Sequence, residues 1–348
     1  LILGAKEILK WVEILFLIWM VMTMTSNQEN MLLQDHRIGF SRISLPRYFW
    51  IVVMLLLPGF VQSLLGIWQF AFSRAEPAHF LVLDRFYRAS GTFDQPNPFG
   101  GFVNLTLFLG IGVFVGVVLT VKSESGTRSF QAFRQQVNLG SFVFLISFIL
   151  FVSISFLALI MSWSRGAWLG FVAGGFVFIL FLPRNRWEGT RLILKLCMLT
   201  VILVVFLAFL RPGLLPGYIV DRFVCGIYQG FKFLTGIGFG NFGAVYQDFA
   251  TLRWENALGH AHNYYLNLLA EVGVIGLTGY LVFWVVVMWQ SVYLLNRLDW
   301  PYRGIVLGLL AAWGALTVHN LVDKLYVRNI YIYIGVMLGL LQVMASVA

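Results

Sequence analysis

Apolar residues run in stretches of about 18 or more along the whole chain, each long enough to cross a bilayer at about 1.5 Å per residue. About nine such spans are expected, near residues 7–24, 48–72, 99–121, 141–162, 168–183, 191–210, 264–295, 304–322 and 330–347. The fifth is short; the seventh is long and leaves room for an initial piece that does not span. Composition agrees, since 59% of the residues are hydrophobic and only 11% are charged, against roughly 25% charged in a soluble domain. The expected fold is an all-α integral membrane protein, a single polytopic domain over residues 1–348.

Alternating the loops across a bilayer puts residues near 25–47, 122–140, 184–191 and 296–303 on one face. Those near 73–98, 162–167, 211–262 and 323–329 fall on the other. The first group is basic for its length, through Arg37, Arg42, Arg47, Arg184, Arg186, Arg191, Arg297 and Arg303, and the positive-inside rule makes it the cytoplasmic one. The opposite face nevertheless carries Arg74, Arg85, Arg88, Arg165, Arg211, Arg222 and Arg253. Cations collected where the rule expects few point to a bound anion. The loop near 211–262 is rich in Phe, Tyr, Gly and Leu, which suits short amphipathic helices lying on the membrane surface.

The net charge of +9 does not indicate nucleic acid, because the basic residues are scattered and form no cluster. It suits anionic headgroups of the lipid bilayer. Cys197 and Cys225 lie too far apart in sequence to suggest a disulfide framework. The chain opens on Leu1, and its first span carries Lys6, Glu7, Lys10 and Glu13 rather than a signal-peptide pattern, so an N-terminally truncated protein is one reading.

Five clusters carry chemistry. In Ser162-Trp163-Ser164-Arg165-Gly166-Ala167-Trp168 a permanent charge stands between two lipid-buried segments, with no other charge from Gln135 to Ser164 or between Arg165 and Arg184. Arg165 is either a functional cation or an interfacial anchor whose stem snorkels to the headgroups. In Thr235-Gly236-Ile237-Gly238-Phe239-Gly240-Asn241 the glycines permit positive φ, and their N–H groups could form an anion nest. No βαβ context supports a dinucleotide fingerprint, which leaves a tight turn or a turn that shapes a substrate site. His260-Ala261-His262-Asn263 stands where the loop re-enters the membrane; His262 suits proton exchange or interfacial hydrogen bonding, and no ligand set with metal spacing accompanies it. Two further clusters are Arg88 to Pro98, before the third span and with Asn97 in helix-start chemistry, and His319 to Lys324, closing the eighth span, where His319 and Asp323 could form an i,i+4 helical pair.

These motifs, in this order, resemble the O-antigen ligase and O-antigen polymerase superfamily over roughly residues 80–345. The match rests on Ser-Trp-Ser-Arg-Gly-Ala-Trp, then Gly-Ile-Gly-Phe-Gly-Asn-Phe, then Ala-His-Asn-Tyr-Tyr-Leu with Glu271 and Gly273, flanked by the Gly91-to-Asn97 and His319-to-Asp323 segments. The resemblance implies a multi-pass enzyme of the bacterial inner membrane, its site facing the periplasm. Such an enzyme moves a glycan from undecaprenyl diphosphate to lipid A core or another glycan or protein acceptor, with inversion and without metal or cofactor. It implies that Arg165 and Arg222 hold the diphosphate and that His262 assists the acceptor. Arg88, Asn97, Ser164, Gly238, Asn241, Asn263, His319 and Asp323 are the further substrate-binding residues expected. A repeat-unit polymerase of the same superfamily carries the same motifs, and one branch has been described as bicarbonate-transport proteins. Relatives usually carry more N-terminal spans and a larger periplasmic loop than the one near 211–262.

Overall fold

The structure is a computed structural model that describes residues 2–34, 47–72, 80–83, 85–124, 139–183, 234–243 and 263–348. Its elements are α1 (Ile2–Gln34), α2 (Arg47–Phe72), β1 (Leu81–Val82), β2 (Phe86–Tyr87), α3 (Pro96–Glu124), α4 (Leu139–Met161), α5 (Arg165–Phe181), α6 (Tyr264–Leu295), α7 (Tyr302–His319) and α8 (Ile330–Val347). Six helices, α1, α2, α3, α6, α7 and α8, are long and apolar enough to cross a membrane. In α4 and α5 the apolar stretches Ile146–Met161 and Arg165–Phe181 are shorter. The span expected near 191–210 lies outside the described residues, as does most of the loop near 211–262.

The fold is mostly helical but not purely so. β1 and β2 form a small antiparallel hairpin, with Leu81 opposite Tyr87 and Val82 opposite Phe86. Two-residue strands carry too little alternation to be read from sequence. Phe86 stacks on Phe70 of α2 at 4.9 Å, which fixes the hairpin to the end of that helix.

Packing centres on α7, which lies between α3 and α5. The α3–α7 crossing is built from glycine on both sides. A Cβ added at Gly112 would sit 2.6 Å from Gly308 Cα, and one at Gly304 would sit 2.6 Å from Gly116 Cα. Two small-xxx-small pairs therefore face each other and let the backbones touch, the usual route to tight association where lipid gives no hydrophobic drive. On the other flank a Cβ at Gly170 or Gly174 of α5 would meet the carbonyl oxygens of Ala315 and Ala311 at 2.8 and 2.7 Å. α1 packs on α8 in the same way, with Ile14, Leu17 and Val21 against Gly335 and Gly339. Large apolar side chains such as Trp19, Met54, Val285 and Trp289 stand exposed on the outer helices, the surface that lipid would cover.

One feature accords with the long seventh span of the sequence reading and one departs from the reading of its loops. α6 is broken at Gly273, whose φ of 68° only glycine adopts freely, so Tyr264–Val272 is set off from the rest of the helix. And Arg303, counted above among the loop charges, is buried: its guanidinium donates to Phe181 O at 2.9 Å and to Leu295 O. It thereby satisfies terminal carbonyls of α5 and α6, where a cation also suits the helix dipole.

Candidate functional site

The polar clusters meet at one end of the bundle. Their meeting begins with the turn between α4 and α5, where almost every residue has a structural duty. As α4 ends, Ser162 N–H donates to Ala158 O at 2.9 Å and Trp163 N–H to Ile160 O at 3.1 Å. Leu159 O accepts from Ser162 Oγ at 2.7 Å and from Trp168 Nε1 at 3.1 Å, and Met161 O accepts from Ala89 N–H at 2.9 Å. Trp163 takes the left-handed conformation, φ 51°, that commonly closes a helix. Ser164 then N-caps α5, its Oγ accepting from Ala167 N–H at 3.3 Å. Arg165 is left as the first residue of α5, exposed, at the positive end of the helix dipole.

Arg88 reaches this turn from the segment after β2. Its Nε donates to Ser162 O at 3.0 Å and its Nη2 to Asn97 Oδ1 at 3.1 Å. Asn97 lies in the first turn of α3, directly after Pro96. Burial first, and then the like charge of Arg165, lower the Arg88 guanidinium below its ordinary pKa, while Asp323 acts in the opposite sense. The Arg165 guanidinium and the Asp323 carboxylate are thus near enough to act on Arg88, two cations against one anion beside an exposed helix N-terminus. Such an arrangement is chemically suited to an oxyanion.

The His319 segment closes the site from behind. α7 ends at His319, and the amides of Val322 and Asp323 both turn back to His319 O, at 2.9 and 3.1 Å. Neither ring nitrogen of His319 has a hydrogen-bond partner, so His319 and Asp323 are one helical turn apart without a hydrogen bond between their side chains. Asp323 Oδ1 accepts from the Lys324 amide at 2.8 Å. An ion pair between Asp94 and Arg328 ties this segment to the one carrying Arg88. Both partners adopt positive φ, 59° and 48°, a strained backbone of the kind that gathers at functional sites.

Asn263 and the glycine turn sit on the first segment of α6. Asn263 is the N-cap, its Oδ1 accepting from Leu266 N–H at 3.0 Å, and Tyr264 N–H donates to Asn320 O at 2.8 Å. Stacking of Tyr264 on Tyr326 at 4.6 Å reinforces that junction. The break at Gly273 frees carbonyls of the turn before it, and the glycine turn caps them. Ile237 N–H donates to Ala270 O at 3.0 Å and Gly238 N–H, with φ 96° at that residue, to Glu271 O at 2.8 Å. Asn241 Nδ2 donates within the turn to Ile237 O at 3.2 Å, and Phe242 N–H donates to the buried Glu271 carboxylate at 3.4 Å. The amides of Ile237 and Gly238 are therefore spent on α6 rather than held open as an anion nest.

Arg88, Asn97, Ser164, Arg165, His319 and Asp323 are thus gathered around one turn, and Asn263 stands next to them through Asn320. Gly238 and Asn241 belong to the capping of α6 instead. Arg222 and His262 lie outside the described residues. Sequence reasoning missed Gln62 and Gln69, the two glutamines of α2, which hold the turn after Arg88. Gln69 Oε1 accepts from Gly91 N–H at 2.7 Å and its Nε2 donates to Gly91 O at 2.8 Å, while Gln62 exchanges two bonds with Thr92. Asn104, buried on α3, was also missed; its Nδ2 donates to Ala167 O at 2.7 Å. The available signal was an amide side chain inside an otherwise apolar span. Among the described residues no three His, Cys, Asp or Glu side chains group as metal ligands.

Compared with known proteins, the chain matches no family model and no curated protein.

Proposed function

We propose that this chain is an O-antigen-ligase-like glycosyltransferase, acting on a glycan linked to undecaprenyl diphosphate. The observation that carries the reading is the convergence of Arg88 and Arg165 at the N-terminus of α5, where two fixed cations would grip a diphosphate. The motif order over residues 80–345 supports it independently. In the reaction an acceptor hydroxyl oxygen bonds to the anomeric carbon as that carbon's bond to the phosphate oxygen breaks. Undecaprenyl diphosphate leaves with the electron pair, and its developing charge is what the arginines stabilise. His262 accepts or orients the hydroxyl proton. The acceptor is lipid A core or another glycan or protein; a polymerase would use a growing repeat-unit chain instead, with the same donor chemistry. The site faces the periplasm of a bacterial inner membrane.

A second reading, membrane transport, draws on the broken α6, since discontinuous helices line many transporter sites. Against it, the carbonyls freed at the break are already capped by Ile237 and Gly238.

The test is transfer itself. The full chain with a polyprenyl-diphosphate-linked glycan and a hydroxyl acceptor is expected to form product and free polyprenyl diphosphate, and to do so equally in excess EDTA. Activity lost in EDTA and restored by Mg²⁺ would remove the arginine-only mechanism. For orientation, Leu321→Cys, at a position 51% exposed, in a chain without Cys197 and Cys225, should react with an impermeant maleimide once only the outer membrane is opened. Labelling only after the inner membrane is breached would reverse the topology.

A further inference from the structure

Buried polar atoms rarely go without a hydrogen-bond partner, yet four of those that do among the described residues cluster behind the Arg165 turn. They are Asn104 Oδ1, both ring nitrogens of His319, and Asn320 Nδ2. His319 is 1% exposed and sits in a slot made by glycines of two helices. A Cβ at Gly101 of α3 would come 3.2 Å from Nδ1, one at Gly166 of α5 would come 3.1 Å from Nε2, and one at Gly170 would come 3.4 Å from the histidine Cβ. Asn104 borders the same slot, its Nδ2 3.2 Å from the Cβ position of Gly170.

Space filling alone does not account for an imidazole there. A leucine or phenylalanine would occupy the slot without burying unpaired nitrogens, each of which costs on the order of 1–3 kcal/mol. A neutral imidazole always carries one donor and one acceptor, so the ring is equipped for a partner. Its position indicates which. Gly166, against Nε2, directly follows Arg165, and the Asp323 carboxylate lies close enough to interact electrostatically with both His319 and Arg88. We propose that His319 is a binding residue of the Arg88–Arg165 site, its ring N–H donating to a phosphate oxygen of the prenyl diphosphate, one layer deeper than the two guanidiniums. This rests on the reading of that site as a diphosphate site.

The experiment measures binding of farnesyl diphosphate to the full chain in detergent, with thermal unfolding in parallel, for the parent, Arg165→Ala, His319→Phe and His319→Gln. Loss of a hydrogen bond to a charged oxygen is expected to weaken binding about tenfold or more in His319→Phe. Its unfolding temperature should equal or exceed the parent's, because an apolar ring replaces unpaired nitrogens. His319→Gln, which restores a donor, should recover most of the affinity. If the phenyl ring does not fit, His319→Met fills the slot without a donor and carries the same test. Parental affinity in the apolar variant, alongside weakened binding in Arg165→Ala, would overturn the role of His319 and leave the arginine site standing. Parental affinity in Arg165→Ala as well, or no binding by the parent, would overturn both.

Discussion

Arg165→Lys is expected to transfer glycan at roughly one hundredth of the parent rate, although the substitution keeps the charge. A guanidinium offers a planar fork that meets two phosphate oxygens at once, whereas an ammonium is a compact, strongly hydrated point charge. Losing one such stabilising contact costs on the order of 3 kcal/mol in the transition state, or about a hundredfold in rate. The position sharpens the expectation, because Arg165 is the first residue of α5 and its backbone is fixed by the Ser164 cap. His262→Ala should separate from it. A residue that takes or orients a proton contributes about 10²–10⁴ to turnover without holding the diphosphate, so that variant should bind donor normally and turn over slowly. Donor affinity and transfer rate, measured together in both variants after insertion is checked, distinguish the two roles. Near-parental transfer by Arg165→Ala would return the residue to an interfacial anchor.

The spans were legible because a run of some 18 apolar residues has few alternatives in water or lipid. The eight helices described overlap the hydrophobic runs, and six of them are long and apolar enough to cross a membrane; α1 runs on to Gln34, past the expected 24, and α7 ends at His319, short of the expected 322. What the runs could not show is how the helices touch. Glycines 112, 116, 304 and 308 read as four small residues in two apolar stretches, and only the structure sets them face to face. The site was legible in part for a similar reason. Arg88, Arg165 and Asp323 stood out as charges at span ends, but polar residues beside a helix start satisfy the backbone before they serve a ligand. Ser164 and Asn263 are spent that way, and Gly238 caps carbonyls freed by the break at Gly273. Gln69 and Asn104 went unnoticed because each is a single uncharged residue inside a span, and a charge-based reading passes over it. Their bonds to residues distant in sequence, Gly91 and Ala167, depend on tertiary placement alone.

Gly308→Ala, a single added methyl, is expected to destabilise the bundle by about 3 kcal/mol or more, at or above the upper end of the usual range for overpacking. The new Cβ would stand 2.6 Å from Phe108 O and 3.0 Å from Leu109 Cα. Both neighbours are backbone, so no side chain can rotate away and α3 must move as a body. That movement would carry Gly101 and Asn104 with it, and hence the wall of the His319 slot, so donor affinity should fall together with stability. Gly112→Ala should cost a similar amount, since its Cβ meets Gly308 Cα at 2.6 Å. The double variant should fall well short of the sum, because helices already pushed apart by one methyl admit the second with little further loss. Gly175→Ala and Gly279→Ala serve as controls: nothing lies within 4 Å of either added Cβ, and alanine favours the helix over glycine by about 1 kcal/mol. Thermal unfolding in detergent should rank the two controls at or above the parent and the two crossing variants below it. A Gly308→Ala chain as stable as the controls would show that α3 and α7 do not meet through their glycines, and would remove the scaffold on which the arginine turn is placed.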